Sequence, residues 1–467
     1  MTDFRVQKSS LPDLAYLAAL SLFFMISGLG RGSLASWDEA LYASVAKEMV
    51  LRGDWLHLTF GGEAWTDKPP LAIWATAFFY KFFGINELTS RLFSALCGAG
   101  TVLVTYLLGR RLFNRWTGLL AALVLLNSTH FLRFARFGML DGPLTLFITL
   151  CLYFFWRGRE RNRYFIFSGV ALGLAFMTKG FAAFLVFPVI FLHCLLAGEM
   201  ELLARSSYWI GVMVAVAIAL PWHLYDLLSS QGAFMQDVIV KHLFERTTSA
   251  VEGHAGNWYF YIRTFINKYH PWVLIGIFSA PFFLFKALKE RRPEFVFTSA
   301  WIFGIWAVIT MIRTKLGWYI LPLYPALSVT VGWMLARWIK EKRAVLIQVV
   351  FIGAMALHVP YSHLWNADYA HAIKGIAPEV VERVPAGETV HLYKYHGKPE
   401  AVFYLGRPID YLETDDELVA AVKKGGAFHC LAFQQDLAAV SSRCAALGVG
   451  VTDSFENIRL LGRGAKA

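Results

Sequence analysis

The chain has 467 residues, of which 57% are hydrophobic and only 16% are charged. Because a soluble domain carries about 25% charged residues, this composition excludes a wholly soluble protein. The formal net charge is +11, but the Lys and Arg residues fall in short loops between apolar runs. That pattern is typical of the cytoplasmic loops of polytopic membrane proteins, so no nucleic-acid partner is predicted.

The apolar runs predict an all-α membrane domain. A helix that crosses a bilayer needs about 20 mostly apolar residues, and about eleven segments of this chain meet that requirement. The predicted spans begin near Leu11, Leu92, Trp116, Pro143, Tyr164, Phe181, Trp209, Pro271, Phe295, Trp318 and Ala344.

Four basic clusters predict the orientation of these spans. They lie at residues 110–115, 157–163, 286–292 and 337–343. If the spans alternate as predicted, all four face the same side, which is then cytoplasmic. The opposite side receives two long loops, at about 31–91 and 225–270, and the C-terminal tail. Within the first loop, Leu41–Val50 predicts an amphipathic helix lying along the membrane interface.

The tail differs in character from the rest of the chain. Thr389–Tyr393 and Phe428–Phe433 are typical of strands, and Asp415–Val422 is typical of a short helix. We therefore predict two domains: a transmembrane domain at 1–362, which includes both long loops, and a small extracytoplasmic α/β domain at 363–467. The tail also contains Cys430 and Cys444, and whether they form a disulfide is left open.

Acidic residues mark the extracytoplasmic side of the membrane domain. Asp38 and Glu39 follow the first apolar run, Asp67 precedes Lys68, and Asp141 begins a later apolar run. Carboxylates are costly near lipid and are usually functional there. The predicted orientation adds several basic and aromatic side chains to the same face: His242, Arg246, His254, Arg313, Lys315 and Tyr319.

These residue types suit the transfer of a group from a phosphate-linked donor. A carboxylate can remove the proton of an acceptor hydroxyl. Lys and Arg side chains can stabilise a phosphate that gains charge as it leaves. Structural roles are the alternatives: Asp38, Glu39 and Asp141 can cap the helices that follow them, and Tyr319 can belong to an interfacial aromatic belt.

Three motifs give the chain a family resemblance over residues 10–340. Asp38-Glu39 is followed about thirty residues later by Asp67-Lys68-Pro69-Pro70, and a third run covers Lys315–Pro322. This combination resembles the membrane glycosyltransferases of the GT-C superfamily. The resemblance is to the branch that contains ArnT, the aminoarabinose transferase of lipid A, and the protein O-mannosyltransferases.

The resemblance implies roles for the acidic residues. Asp38 would be the catalytic base, with Glu39 beside it in the catalytic set, and Asp141 would be a second catalytic acid that orients the acceptor. Asp67 and His242 match positions that can hold a metal ion in this branch, although Asp67 stands where the branch commonly has Glu. The family reaction requires no metal cofactor, so a divalent metal is an optional addition.

The resemblance also implies a site for the carrier phosphate. Lys68 and Arg246 would bind it, with help from Tyr319 and Lys315.

The predicted function is an inverting, multi-pass glycosyltransferase of the bacterial inner membrane, with its active site and C-terminal domain in the periplasm. It would take a sugar from a polyprenyl-phosphate carrier in the lipid bilayer. The acceptor is left open between lipid A, another glycan and a protein hydroxyl. The alternative is a transporter or lipid flippase whose acids couple to protons.

Overall fold

A computed structural model describes residues 10–229, 256–338, 368–395 and 398–463. The chain divides into two compact units. The first comprises residues 1–29, 66–75 and 91–364, and the second comprises residues 30–65, 76–90 and 365–467. Much of the first long loop is therefore grouped with the C-terminal tail rather than with the membrane helices.

Helices dominate the described residues up to Trp338. A two-stranded antiparallel hairpin, β1 (Thr59–Phe60) and β2 (Glu63–Ala64), interrupts them in the first loop. The helices are α1 (Leu11–Ile26), α2 (Asp38–Arg52), α3 (Leu71–Phe83), α4 (Glu87–Leu112), α5 (Arg115–Leu126), α6 (Thr129–Arg136), α7 (Asp141–Gly158), α8 (Arg163–Lys179), α9 (Val186–Ala197), α10 (Glu201–Ala204), α11 (Ser206–Ser229), α12 (Phe260–Lys268), α13 (Val273–Glu290), α14 (Pro293–Met311) and α15 (Tyr324–Trp338), with 3-10 turns at Gly180–Leu185 and Gly317–Leu323.

A helical segment begins close to each predicted span start from Leu11 to Trp318, and Ala344 lies outside the described residues. By length and hydropathy, however, the described residues contain five helices able to cross a membrane, or six if the bent pair α5–α6 counts as one span. The predicted number of about eleven is therefore not reached in this part of the chain. One reason is that α1 has only 16 residues, and another is that the spans predicted at Tyr164 and Phe181 belong to one helical stretch of 35 residues, Arg163–Ala197.

Two membrane helices of the first unit approach each other through glycines. A Cβ atom at Gly169 of α8 would overlap the carbonyl oxygen of Gly211 of α11, and one at Gly211 would overlap the carbonyl oxygen of Phe165. Helices in a bilayer associate through close van der Waals packing, and small residues permit that packing. These glycines are therefore part of the contact between α8 and α11.

The second unit contains a five-stranded mixed sheet. Its strands are β3 (Val390–Tyr393), β4 (Ile409–Leu412), β5 (His429–Phe433), β6 (Val449–Phe455) and β7 (Ile458–Arg463), in the order β4-β3-β5-β7-β6. Strand β3 pairs in parallel with β4 and β5, whereas β7 pairs antiparallel with β5 and β6. The helices are α16 (His371–Arg383), α17 (Lys398–Leu405), α18 (Asp415–Lys423), α19 (Gln434–Leu437) and α20 (Ser441–Ala445).

Both faces of this sheet are covered by helices. One core joins Leu392 and Leu431 to buried side chains of α16 and α17. The other joins Tyr393 and Cys430 to α18 and α20, and it also contains Cys444. The predicted small α/β domain is thus confirmed. Cys430 and Cys444 are both free, buried thiols, so no disulfide links them in this structure.

Helix α2 belongs to the second unit, where it packs against α17. Ala40, Val45 and Ala46 on α2 are completely buried. The helix predicted at Leu41–Val50 is confirmed, but its apolar face is covered by protein.

We predict that Gly169→Ala lowers the melting temperature of the detergent-solubilised chain. The added methyl group overlaps a backbone atom, and overpacking of this kind costs about 1–3 kcal/mol. Gly317→Ala is the control, because a Cβ atom there meets no atom within 4 Å. Equal melting temperatures for the two variants would contradict the close approach of α8 and α11.

Candidate active site

Asp38 is the first residue of α2 and follows a strained backbone position. Trp37 has φ 68° and ψ −120°, a conformation that costs a residue other than glycine about 1–3 kcal/mol. The Asp38 carboxylate is half-buried and forms no hydrogen bond or ion pair with any described residue. It therefore does not cap α2, and its lone pairs stay open to a proton donor.

Glu39 makes a local structural contact. Its side chain is buried, and its Oε2 accepts a hydrogen bond of 2.6 Å from the backbone N–H of Ala35. This bond closes the turn that leads into α2, but it is not a helix cap, because α2 has no side-chain cap hydrogen bond at its N-terminus. The predicted catalytic role of Glu39 stays a prediction.

The segment before Asp38 is held by the C-terminal part of the second unit. The N–H of Ser33 donates to Asp368 Oδ1 at 2.9 Å, and the N–H of Leu34 donates to the hydroxyl of Tyr404 at 2.8 Å. Ser36 Oγ donates to Glu400 Oε1, also at 2.8 Å. Three bonds in four residues fix the chain on the N-terminal side of the strained turn.

Helix α2 is held to α17 as well. Ser44 Oγ donates to the carbonyl oxygen of Pro399 at 3.1 Å, and Lys47 Nζ donates to that of Phe403 at 2.6 Å. Burial lowers the pKa of Lys47, although the adjacent Glu48 opposes this shift. The two sides of the Asp38 position, the preceding turn and the following helix, are therefore anchored to the same α/β domain.

A second group of polar residues lies in the first unit. Asp141, the first residue of α7, accepts hydrogen bonds from Lys179 Nζ at 2.8 and 2.7 Å. The side chains of Asp141 and Lys179 are only 3% and 10% exposed. Lys179 Nζ also lies 5.2 Å from the ring centroid of Tyr319. The pair places a negative charge at a helix N-terminus and a positive charge at the C-terminus of α8, and both placements favour the helix dipoles.

Asp67 and Lys68 form an ion pair in the same unit. Lys68 Nζ donates to Asp67 Oδ2 at 2.6 Å, and the Lys68 side chain is 9% exposed. A partly buried ammonium group attracts phosphate more strongly than one in water, because the local dielectric constant is lower. Among the described residues, no group of three or more His, Cys, Asp or Glu side chains could hold a metal ion. Since His242 lies outside them, the metal site stays a prediction.

Lys315 serves as a helix cap in this structure. Its ammonium group donates to the carbonyl oxygens of Ile309 at 3.0 Å and of Thr310 at 2.5 Å, and also to that of Ile312, at the end of α14. The three N–H groups of the Lys315 ammonium are thus matched by three carbonyl oxygens. A phosphate-binding role for Lys315 stays a prediction.

The structure adds one residue to the predicted set and leaves three unplaced. Arg246, His242 and His254 lie outside the described residues. Lys179 lies between two predicted spans, and the sequence favours an anchoring role for it over a place in the donor site. Its partner could not be found from spacing, because Asp141 lies 38 positions away.

Comparison with known proteins matches these features to one fold. A family model for dolichyl-phosphate-mannose-protein mannosyltransferases matches residues 67–225. The crystal structure of ArnT from Cupriavidus metallidurans bound to undecaprenyl phosphate superposes with a TM-score of 0.80, covering 98% of this chain and 100% of that one at 20% identity. The chain has the GT-C fold of ArnT. The predicted resemblance to the ArnT branch of the GT-C glycosyltransferases is therefore confirmed, and the chain is a multi-pass membrane protein.

Two relatives are similar in sequence. A protein of Aquifex aeolicus without an assigned function is 34% identical over 321 residues, which is 68% of this chain and 62% of the relative. An undecaprenyl phosphate-alpha-4-amino-4-deoxy-L-arabinose arabinosyl transferase of Pseudomonas fluorescens is 31% identical over 340 residues, which is 71% of this chain and 57% of the relative. The matched region therefore spans about three fifths of the length of these relatives.

We predict that Lys179→Met destabilises the chain by about 3–5 kcal/mol, because it leaves the Asp141 carboxylate buried without its positive partner. Lys286→Met is the control. It breaks an ion pair with Glu290 that is 19% and 35% exposed, and exposed pairs contribute about 0–1 kcal/mol. Thermal unfolding of both variants checks the difference, and a small effect of Lys179→Met would contradict a buried pair.

We also predict that Tyr404→Phe loosens the turn before Asp38. The variant loses the hydroxyl that accepts from Leu34 and donates to Glu87 at 3.0 Å. Amide hydrogen exchange at residues 33–37 should become faster, by a factor that corresponds to about 1–2 kcal/mol. Tyr393→Phe is the matched control, since its hydroxyl bonds Asp415 elsewhere in the same unit. Equal exchange at 33–37 in both variants would show that Tyr404 does not hold this segment.

Proposed function

We propose that this chain is a membrane glycosyltransferase that moves a sugar from a polyprenyl-phosphate carrier to an acceptor on the extracytoplasmic side of the bacterial inner membrane. The reaction is a single displacement with inversion at the anomeric carbon. The ArnT fold and the relative named as an undecaprenyl-phosphate-dependent arabinosyl transferase support this class of donor. The sugar itself and the acceptor are open.

The observation that carries the proposal is the state of the Asp38 carboxylate. Glu39, Asp67 and Asp141 each accept hydrogen bonds from named partners, whereas Asp38 has none among the described residues. A general base needs a free lone pair within reach of the proton that it removes. Asp38 meets this condition, and it sits at a rigidly held turn.

Asp38 removes the proton from the acceptor hydroxyl as its oxygen attacks the anomeric carbon. The bond from that carbon to the phosphate oxygen breaks, and the polyprenyl phosphate leaves with the bonding electrons. Lys68 stabilises this leaving phosphate through charge-assisted hydrogen bonds. By the family resemblance, Arg246 and Tyr319 assist it.

The role of the Asp141–Lys179 pair is to orient the helix ends and a substrate hydroxyl, and not to exchange protons. Each oxygen of Asp141 already accepts a hydrogen bond from Lys179, so this carboxylate is less open than that of Asp38 to a proton from the acceptor. The pair fixes the ends of α7 and α8 and places the Lys179 ammonium beside the Tyr319 ring. Asp141 is then available to align an acceptor or donor hydroxyl through an additional hydrogen bond.

The test is sugar transfer by the full chain in membranes. Radiolabelled undecaprenyl-phosphate sugars are supplied as a panel that includes 4-amino-4-deoxy-arabinose, mannose, glucose and N-acetylglucosamine, and envelope material serves as the acceptor. We expect transfer from one donor by the wild type and a rate about 10²–10⁴-fold lower for Asp38→Asn, because that factor is typical of a lost general base.

The control is Glu63→Gln, which removes an exposed carboxylate of the same loop at the β1–β2 hairpin. It should transfer at the wild-type rate. Full activity of a folded Asp38→Asn variant would overturn the base assignment. Failure of the wild type with every donor would contradict the glycosyltransferase and favour the transporter alternative.

A further inference from the structure

A cavity of about 690 Å³ lies within the second unit, at the carboxyl ends of its parallel strands. Lys394 and Tyr395 line it directly after β3, and Glu413 does so after β4. The end of β5 contributes Phe433, which is followed by Gln435 and Asp436. The volume falls in the range of about 300–1,000 Å³ that is common for small-molecule sites.

The sheet topology explains why a binding site forms at this edge. The order of the parallel strands is β4-β3-β5, with β3 in the middle. The chain runs from β3 to β4 on one side of it, and then from β4 to β5 on the other side. The loops that follow β3 and β5 therefore part, and a crevice opens between them. Ligands of open α/β sheets bind in such a crevice outside the carboxyl ends of the strands.

Aromatic side chains form part of the wall. Tyr395 and Phe433 come from the sheet, and Trp37, which is 64% exposed, comes from the turn before Asp38. Aromatic residues offer broad apolar faces, and Tyr and Trp add a polar atom for hydrogen bonding. A flat, largely apolar ring face with polar groups at its edge fits this wall.

Carboxylates and an amide provide most of the polar wall. Glu400, Glu413 and Asp436 line the cavity together with Gln435. Among the described residues of the wall, Lys394 is the single cation, and its ammonium group pairs with Asp415 at 2.6 Å. This pairing raises the pKa of Lys394 and lowers that of Asp415. The wall thus presents hydrogen-bond acceptors and repels anions such as phosphate.

Glu400 gives the clearest sign that the cavity takes a ligand. Its side chain is 2% exposed. Oε1 accepts from Ser36 Oγ at 2.8 Å and from the hydroxyl of Tyr395 at 3.2 Å, but Oε2 has no hydrogen-bond partner among the described residues. A buried carboxylate oxygen without a donor is unfavourable, and a ligand hydroxyl or ammonium group would supply the donor.

We propose that this cavity binds one neutral or amino sugar of a glycan acceptor. Sugars combine apolar ring faces with many hydroxyl groups, which matches the aromatic and carboxylate walls. Ser36 and Trp37 line the cavity and directly precede Asp38 in the chain. The bound sugar would thereby be recognised by the same segment that carries the catalytic base. The assignment as acceptor rests on the function proposed above, whereas the assignment as a sugar site does not.

The first test measures sugar binding without any transfer. Saturation-transfer NMR is recorded on the full chain in detergent micelles with glucosamine disaccharide, N-acetylglucosamine disaccharide, maltose and a Ser/Thr peptide. We expect one of the disaccharides to bind. Asp436→Lys should weaken that binding at least about tenfold, the effect of losing one good hydrogen bond, and Glu382→Lys should not, because Glu382 is exposed on α16 outside the cavity.

Gln435→Ala, a change at an exposed residue, gives a second variant if Asp436→Lys lowers the melting temperature. Binding of no disaccharide at millimolar concentration, equal binding by the wild type and both cavity variants, or binding of the peptide alone would each overturn the sugar site. A reduced affinity in the cavity variants, with Glu382→Lys unchanged, supports it.

The second test uses transfer and separates the two proposals. If both hold, Asp436→Lys raises KM for the glycan acceptor about tenfold and leaves kcat and the KM of the donor unchanged. Sugar binding by a wild type that transfers from no donor would overturn the glycosyltransferase and keep the sugar site. Transfer with an unchanged acceptor KM in Asp436→Lys would overturn the acceptor assignment and keep the glycosyltransferase.

Discussion

Hydrogen bonds fix the turn that precedes Asp38, and the proposed role of this residue as a base depends on them. A carboxylate that acts as a base must be held in place, yet its lone pairs must stay open to the proton. These two requirements usually conflict, because the hydrogen bonds that fix a carboxylate occupy its lone pairs. Here the backbone is held instead of the side chain. Asp368, Tyr404 and Glu400 bind Ser33, Leu34 and Ser36, so the carboxylate of the next turn keeps its lone pairs. The same contacts can stabilise the strained conformation of Trp37, which a free loop would relax.

The C-terminal α/β domain has a structural role in this arrangement, because it holds the turn that precedes Asp38. Its helix α17 supplies Glu400 and Tyr404, and its helix α16 begins just after Asp368. The cavity at the ends of its strands shares Glu400 and Ser36 with the turn. The carboxylate of Asp141 in the first unit differs from that of Asp38, because it forms an ion pair with Lys179. A buried pair of this kind is expensive to break, which makes it suited to fixing helix ends.

Local patterns were sufficient to predict most elements but not their partners. The segments predicted as strands agree with β3 and β5 to within one residue at each end, and the acidic start predicted for α18 was correct. The join between the first loop and the tail could not be predicted, because Ser36 and Glu400 lie 364 positions apart. The same limit applies to Lys179. Among the described residues, fewer helices than predicted have the length and hydropathy of a span, because several apolar helices are short.

The anomeric configuration of the transferred sugar tests the central claim most directly. Once an active donor is found, NMR of the product formed by the wild type reports whether the linkage to the acceptor has the configuration of the donor. Direct attack by an acceptor oxygen that Asp38 has deprotonated predicts inversion. Retention would contradict the account, because it requires a second displacement through a covalent intermediate or attack from the leaving-group side.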